Sequence, residues 1–136
     1  DESLVDATTG RLNTLPHLFE MLRRTRLGDV VVPIVAESKV MSTQWSLPLA
    51  LCFIDGGHGD EPARQDYLGW SPKIALHGFL VIHDVFADPR DGGQAPYRQI
   101  YRAALDSGEF SEISVTGSLR VLQRTRAIAH TSSASS

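Results

Sequence analysis

Apolar residues recur at i, i+3, i+4 and i+7 in Leu15, Leu18, Phe19 and Leu22, which predicts an amphipathic helix over residues 14–26. Thr14 is placed to cap it, Pro16 suits its first turn, and Gly28 is the expected stop. Residues 29–36, DVVVPIVA, read as a strand in which Pro33 removes a ladder donor, so the strand belongs near an edge or carries an irregularity. A short helical stretch over 40–45 follows. Two uninterrupted apolar runs come next, LALCFI over 49–54 and FLVI over 79–82. Strands apolar on both faces belong to a parallel sheet covered by helices on each side. The segment between them is long enough for a crossover helix over 61–70, with Asp60 as its cap and Pro62 in its first turn. A helix over 95–105 puts Tyr97, Ile100, Tyr101 and Ala104 on one face, and Gly108 ends it. Residues 110–115 and 119–123, joined by Thr116, Gly117 and Ser118, form a closing antiparallel hairpin. The alternation predicts an α/β fold: a doubly wound, mostly parallel sheet with a terminal antiparallel hairpin.

Composition narrows the partners. The chain has 136 residues, and its 13 basic and 16 acidic side chains give a net charge of −3. No basic excess exists to neutralise phosphates, which argues against nucleic acid or a membrane surface as the partner. The single cysteine, Cys52, forbids an internal disulfide and any cysteine-rich zinc module, and its apolar run predicts a buried, inert thiol. No apolar stretch approaches the roughly 20 residues of a membrane span, and no basic and apolar leader opens the chain, so the expected location is cytoplasmic. Residues 1–13 are polar and without usable periodicity, and 127–136 form a serine-rich tail; both are expected to be loose, flanking one domain over 14–126.

The informative coincidence lies at the strand ends. Ligands collect at the carboxyl ends of strands in such sheets, and three predicted strands end in polar groups: Glu37-Ser38, Asp55-Gly56-Gly57-His58, and His83-Asp84. Convergent carboxylates suit a hard divalent cation such as magnesium, or serve as a general base. Each motif also has a bland explanation. Asp55 and its glycines are ordinary turn chemistry, His83 and Asp84 satisfy each other, His58 is a loop residue, and Glu37-Ser38 caps the next helix. Turn chemistry does not require acidic groups on one edge of one sheet, and that favours a site. His17, His77 and His130 carry no functional expectation. Trp45, Trp70, Tyr97 and Tyr101 are expected to pack in the core or between helices, and Arg23, Arg24 and Arg26 to form a solvated helix end. The loop over 87–95, ADPRDGGQA, lies beside the expected site as a lid or a plain surface loop.

The run LALCFIDGGHGDEPARQDYLGW, followed by HGFLVIHDV, resembles the second half of class I S-adenosylmethionine-dependent methyltransferases, in the small-molecule O-methyltransferase branch. The matching residues are Ile54, Asp55, Gly56 and His58, then Asp66 and Trp70, then Gly78, His83 and Asp84. The resemblance implies a partial Rossmann-like methyltransferase fold and a small-molecule hydroxyl as substrate. It implies S-adenosylmethionine as cofactor, with Glu37, Ser38 and Asp55 on the cofactor side. It also implies magnesium at Asp55 and Asp84 with His83 beside it, and His58 as general base.

The chain departs from the family in one respect. The glycine-rich loop after the first strand, which holds the methionine and ribose portions of the cofactor, has no counterpart before Thr14. The chain is expected to be either a fragment of a longer protein, which the missing initiator methionine favours, or a degenerate relative. A fragment would be inactive alone and would expose an apolar sheet edge prone to self-association. The alternatives are a noncatalytic Rossmann-like scaffold that has lost cofactor binding and, less well supported by its ligand set, a metal-dependent hydrolase.

Overall fold

The computed structural model describes residues 10, 13–56 and 59–127, so the expected loose ends fall almost entirely outside the described residues. The chain divides into two compact units, Asp1–Val35 and Ala36–Ser136, with the boundary inside the span expected to be one domain.

In the first unit, helix α1 spans Leu15–Thr25, one residue inside each expected end. Thr14 takes the cap position without a side-chain bond, and the Leu15 N–H donates to Asn13 Oδ1 instead, at 3.2 Å. The left-handed stop is Arg26 (φ 57°), not Gly28: its turn lets the Leu27 N–H reach the Leu22 carbonyl. The strand expected over 29–36 does not form. The Val30 and Val31 amides both turn back to the Leu27 carbonyl, and Pro33 has no N–H, so few donors remain for a ladder. Val30, Val32 and Val35 are left exposed.

The second unit holds a four-stranded sheet in the order β1-β2-β4-β3. Its strands are β1, Leu49–Ile54; β2, Ile74–Ile82; β3, Phe110–Thr116; and β4, Leu119–Arg124. β1 and β2 run parallel, whereas β2 with β4 and β4 with β3 are antiparallel, so the described sheet is mixed and ends in the expected hairpin. Helix α2 spans Ser38–Gln44 and α3 spans Asp60–Trp70. Asp60 lies inside α3 rather than capping it; Gly59 takes the cap position and the Asp60 carboxylate pairs with Arg98 at 2.9 Å. The expected helix over 95–105 begins as a π-helix, Pro96–Arg102, and continues into α4, Ala103–Asp106.

Helices cover one face of this sheet. Cys52 and Ile54 on β1 pair in register with Leu80 and Ile82 on β2, and Leu80 pairs with Leu122 on β4. Leu80, Ile82 and Leu122 are fully buried and pack with Ala63 and Tyr67 of α3 and with Ile100. On the opposite face of β1, Leu51 and Phe53 alternate with the core residues and are exposed. β2 is also longer than expected. Two steps on β1, from Leu49 to Leu51, oppose five on β2, from Ile74 to Phe79. His77 (φ 65°) sits in this bulge rather than in a turn. Gly78 is required there, because a Cβ would lie 2.9 Å from the Ala75 carbonyl and 3.0 Å from that of Ala50.

At the end of the sheet where β2 begins, Arg124 is 2% exposed. Its guanidinium donates to the carbonyls of Ser71, Ile74 and Arg126 and pairs with Glu109. A buried cation is tolerated only when its donors are used in this way.

Leu80→Ala should destabilise this unit by about 3 kcal/mol through the cavity it leaves, read from urea unfolding. A loss below about 1 kcal/mol would show that Leu80 does not sit at the centre of the core.

Candidate active site

Asp55 follows the last residue of β1, and His83 and Asp84 follow the last residue of β2. The parallel register pairs Ile54 with Ile82, and the His83 N–H donates to the Ile54 carbonyl at 3.1 Å, holding the two strand ends level. As a result His83 Nδ1 lies 3.0 Å from Asp55 Oδ1 and 3.1 Å from Asp84 Oδ1. Neither contact is aligned as a hydrogen bond: Nδ1 is buried and has no such partner among the described residues. Asp84 holds a left-handed backbone (φ 55°), a strained conformation for a residue with a side chain, and the next residue is pinned by the Val85 N–H to Ser118 carbonyl bond at 2.9 Å.

One donor atom from each of Asp55, His83 and Asp84 falls within 4.8 Å of the others. Beside them is a cavity of about 10 Å³, enough for one water or ion, closed by Ala63 and Asp66 of α3 and by Pro96 and Ile100. Two carboxylate oxygens and an unbonded imidazole nitrogen, gathered on rigid strand ends, fit a divalent cation.

A larger groove, about 470 Å³, runs along β1 from Leu49 to Gly56. Ser38, Asp66 and Trp70 form its other wall. Trp70 Nε1 donates to Ser38 Oγ at 2.8 Å, and Trp45 meets the Trp70 ring edge-on at 6.0 Å between centroids. Of the residues expected on the cofactor side, Ser38 and Asp55 line the groove; Glu37 precedes α2 at its cap position and is exposed. Cys52 lines it too and is half-buried; burial, followed by the charge of Asp66, pushes its thiol up to about 11. His58 lies outside the described residues. The loop over 87–95 is tied down: Gln94 Nε2 donates to the Phe86 carbonyl at 2.8 Å, and Asp88 pairs with Arg90.

Asp66 was expected only as a mark of a resemblance and Trp70 also as a packing aromatic, yet both line the groove. Their signal was legible: Ala63, Asp66, Tyr67 and Trp70 fall on one face of α3, and a carboxylate on an otherwise apolar face needs a reason. Asp66 Oδ2 also explains Gly56, where a Cβ would lie 3.1 Å away.

Residues 4–85, which include both strand-end motifs, match the methyltransferase-domain family. The chain belongs to that family. Its fold is similar to that of the O-methyltransferase NovP, with a TM-score of 0.59 and 21% identity, covering 87% of this chain and 48% of NovP. MycE, a methyltransferase from the mycinamycin biosynthetic pathway solved in complex with Mg, SAH and mycinamycin VI, is 17% identical with a TM-score of 0.46, covering 65% of this chain and 29% of MycE. The chain thus spans about half or less of the length of these structures. In this methyltransferase domain, the Asp55, His83 and Asp84 cluster sits at the carboxyl ends of the one parallel strand pair among the described residues, where sheets of this kind take their ligands.

The strained backbone at Asp84 gives a direct test. Asp84→Gly should be more stable than Asp84→Ala by about 1 kcal/mol in urea unfolding, because glycine alone adopts the left-handed region freely. Equal stability of the two variants would show that the fold does not hold residue 84 in that conformation.

Proposed function

We propose that this chain carries the catalytic portion of an S-adenosylmethionine-dependent O-methyltransferase acting on a small-molecule hydroxyl. The observation that carries the reading is the convergence of Asp55, His83 and Asp84 beside a groove of cofactor size. Asp55, His83 and Asp84 hold a divalent cation, magnesium by family resemblance. When bound, the cation would make a coordinated hydroxyl more acidic, and S-adenosylmethionine would supply an electrophilic methyl group.

The chain's own residues do the rest. Ser38, fixed by the Trp70 indole, and the β1 edge shape the groove for the planar end of the cofactor, and Glu37, one residue before Ser38, acts on the cofactor side with it. Asp55 borders both the groove and the cation cluster, so it sets the distance between cofactor and acceptor. His58, four residues beyond the end of β1, accepts the hydroxyl proton. Positioning supplies most of the rate in such a transfer. The reading places the chain in the cytoplasm, where the lone thiol of Cys52 stays reduced.

A second reading, a scaffold that no longer binds the cofactor, draws on one observation. The outer edge of β1 has no strand partner among the described residues, so the groove is open on that side. Calorimetric titration with S-adenosylhomocysteine, in magnesium and then in EDTA, separates the two. The enzyme reading expects saturable one-to-one binding, and Asp55→Asn should weaken the cation dependence by more than about tenfold. Cation binding without any cofactor binding would favour the scaffold.

The open edge also supports self-association, since Leu51 and Phe53 expose apolar surface on a strand whose outer edge has no strand partner among the described residues. Sedimentation velocity should show a concentration-dependent rise in mass that Phe53→Lys reverses. A monomer at every concentration would remove this part of the reading.

A further inference from the structure

We propose that Trp70 is a positioning residue that acts through Ser38: by donating its indole N–H to Ser38 Oγ, it leaves the Ser38 hydroxyl proton to be donated into the groove, to an acceptor atom on the planar end of the ligand. The inference rests on the cofactor reading above and concerns how the wall built from α2 and α3 holds that ligand.

The pair is held from both sides. Ser38 is the first residue of α2 and Trp70 the last of α3, and the 2.8 Å bond between them joins residues 32 apart in the chain. Beside Trp70, the two helices touch so closely that a Cβ at Gly69 would overlap the Ser42 side chain. Ser42 lies one helical turn after Ser38, is buried, and donates its own hydroxyl to the Lys39 carbonyl at 2.9 Å. That contact fixes the backbone separation across which the indole reaches. At the other end of α2, Trp45 meets the Trp70 ring edge-on and is itself pinned by its indole N–H to the Leu47 carbonyl at 2.8 Å. Trp70 therefore touches both ends of α2, and neither its ring nor its backbone is free to turn the N–H elsewhere.

The direction of the bond carries the chemistry. An indole nitrogen can only donate, so Ser38 Oγ is the acceptor and its proton points away from Trp70. Among the described residues Ser38 Oγ makes no other hydrogen bond, which leaves that proton without a partner. Accepting one bond polarises a hydroxyl and makes it a better donor for the next. Ser38 and Trp70 both line the groove, so an acceptor such as a ring nitrogen has a donor waiting for it there. Packing alone asks for an aromatic ring at position 70; only this arrangement asks for its N–H.

The test uses the full chain. It has two tryptophans, so NMR gives two indole N–H peaks, which Trp45→Phe and Trp70→Phe assign. Ser38→Ala should shift the Trp70 peak and leave that of Trp45 in place. In calorimetric titration with S-adenosylhomocysteine, Trp70→Phe, which keeps a ring beside Trp45 and removes the donor, should weaken binding about fivefold. Ser38→Ala should do the same, the double variant should be no weaker than either single one, and Ser38→Thr, which keeps the hydroxyl, should bind like wild type. Effects of the two single variants that multiply in the double one would show that Trp70 acts independently of Ser38 and would overturn the inference. Unchanged affinity of Ser38→Ala, or an unmoved Trp70 peak, would overturn it equally; both readouts hold even where Trp70→Phe lowers the urea midpoint. Each of these results leaves the cofactor reading standing, whereas a wild-type chain that binds no S-adenosylhomocysteine removes that reading and the inference with it.

Discussion

The parallel register of β1 against β2 is the constraint from which the site follows. Ile54 opposes Ile82, and one more ladder bond, from the His83 N–H to the Ile54 carbonyl, continues the pairing beyond the last residues of both strands. That bond puts Asp55 and His83 at one level. Because side chains alternate along a strand, a shift of one residue would turn Ile54 and Ile82 out of the core and carry Asp55 past His83. The burial of Ile82, Leu80 and Leu122 therefore holds the register, and the register holds the three donor atoms together.

The two ends of this unit solve different problems with charge. Arg124, at one end, is buried with its donors satisfied by three carbonyls and Glu109, and it ties the start of β2 to the end of β4. At the other end the carboxylates of Asp55 and Asp84 lie close to one nitrogen that makes no hydrogen bond among the described residues. The first arrangement is complete as it stands and stabilises the fold. In the second, two nearby carboxylates repel each other, a repulsion that a bound cation would relieve.

What the sequence revealed and what it hid follow the same physics. The strand ends were legible because the apolar runs over 49–54 and 79–82 stop abruptly at Asp55 and at His83-Asp84, so burial and chemistry change at one residue. The hairpin was legible from Gly117, which adopts a positive φ of 58° in the turn. The segment over 29–36 was misread because β-branched residues report a fit to a pleated surface, not the presence of a neighbour. Its amides turned to the Leu27 carbonyl, and no ladder remained to be made. The bulge in β2 and the π-winding of Pro96–Arg102 are tertiary accommodations that no local period encodes. Asp66 stands out as a charge on an apolar helix face, and the structure places it on the wall of the groove.

Departures from local rules gather at one place in this unit. Within two strand ends there is a left-handed aspartate, a buried nitrogen without a hydrogen bond, and a pair of carboxylates closer than charge alone favours. Two backbone bonds hold the residues concerned: His83 N–H to the Ile54 carbonyl, and Val85 N–H to the Ser118 carbonyl just after Asp84. Sequences that specify one structure agree across propensity, packing and polar satisfaction, and they depart from that agreement where a function demands it. The bulge at His77 shows the contrast, because its positive φ accompanies the extra length of β2 and no buried side-chain atom among the described residues is left unbonded there. Strain alone is therefore common to both places, whereas strain together with an open ligand set occurs at the ends of β1 and β2. That conjunction sets the ends of β1 and β2 apart from the rest of the unit.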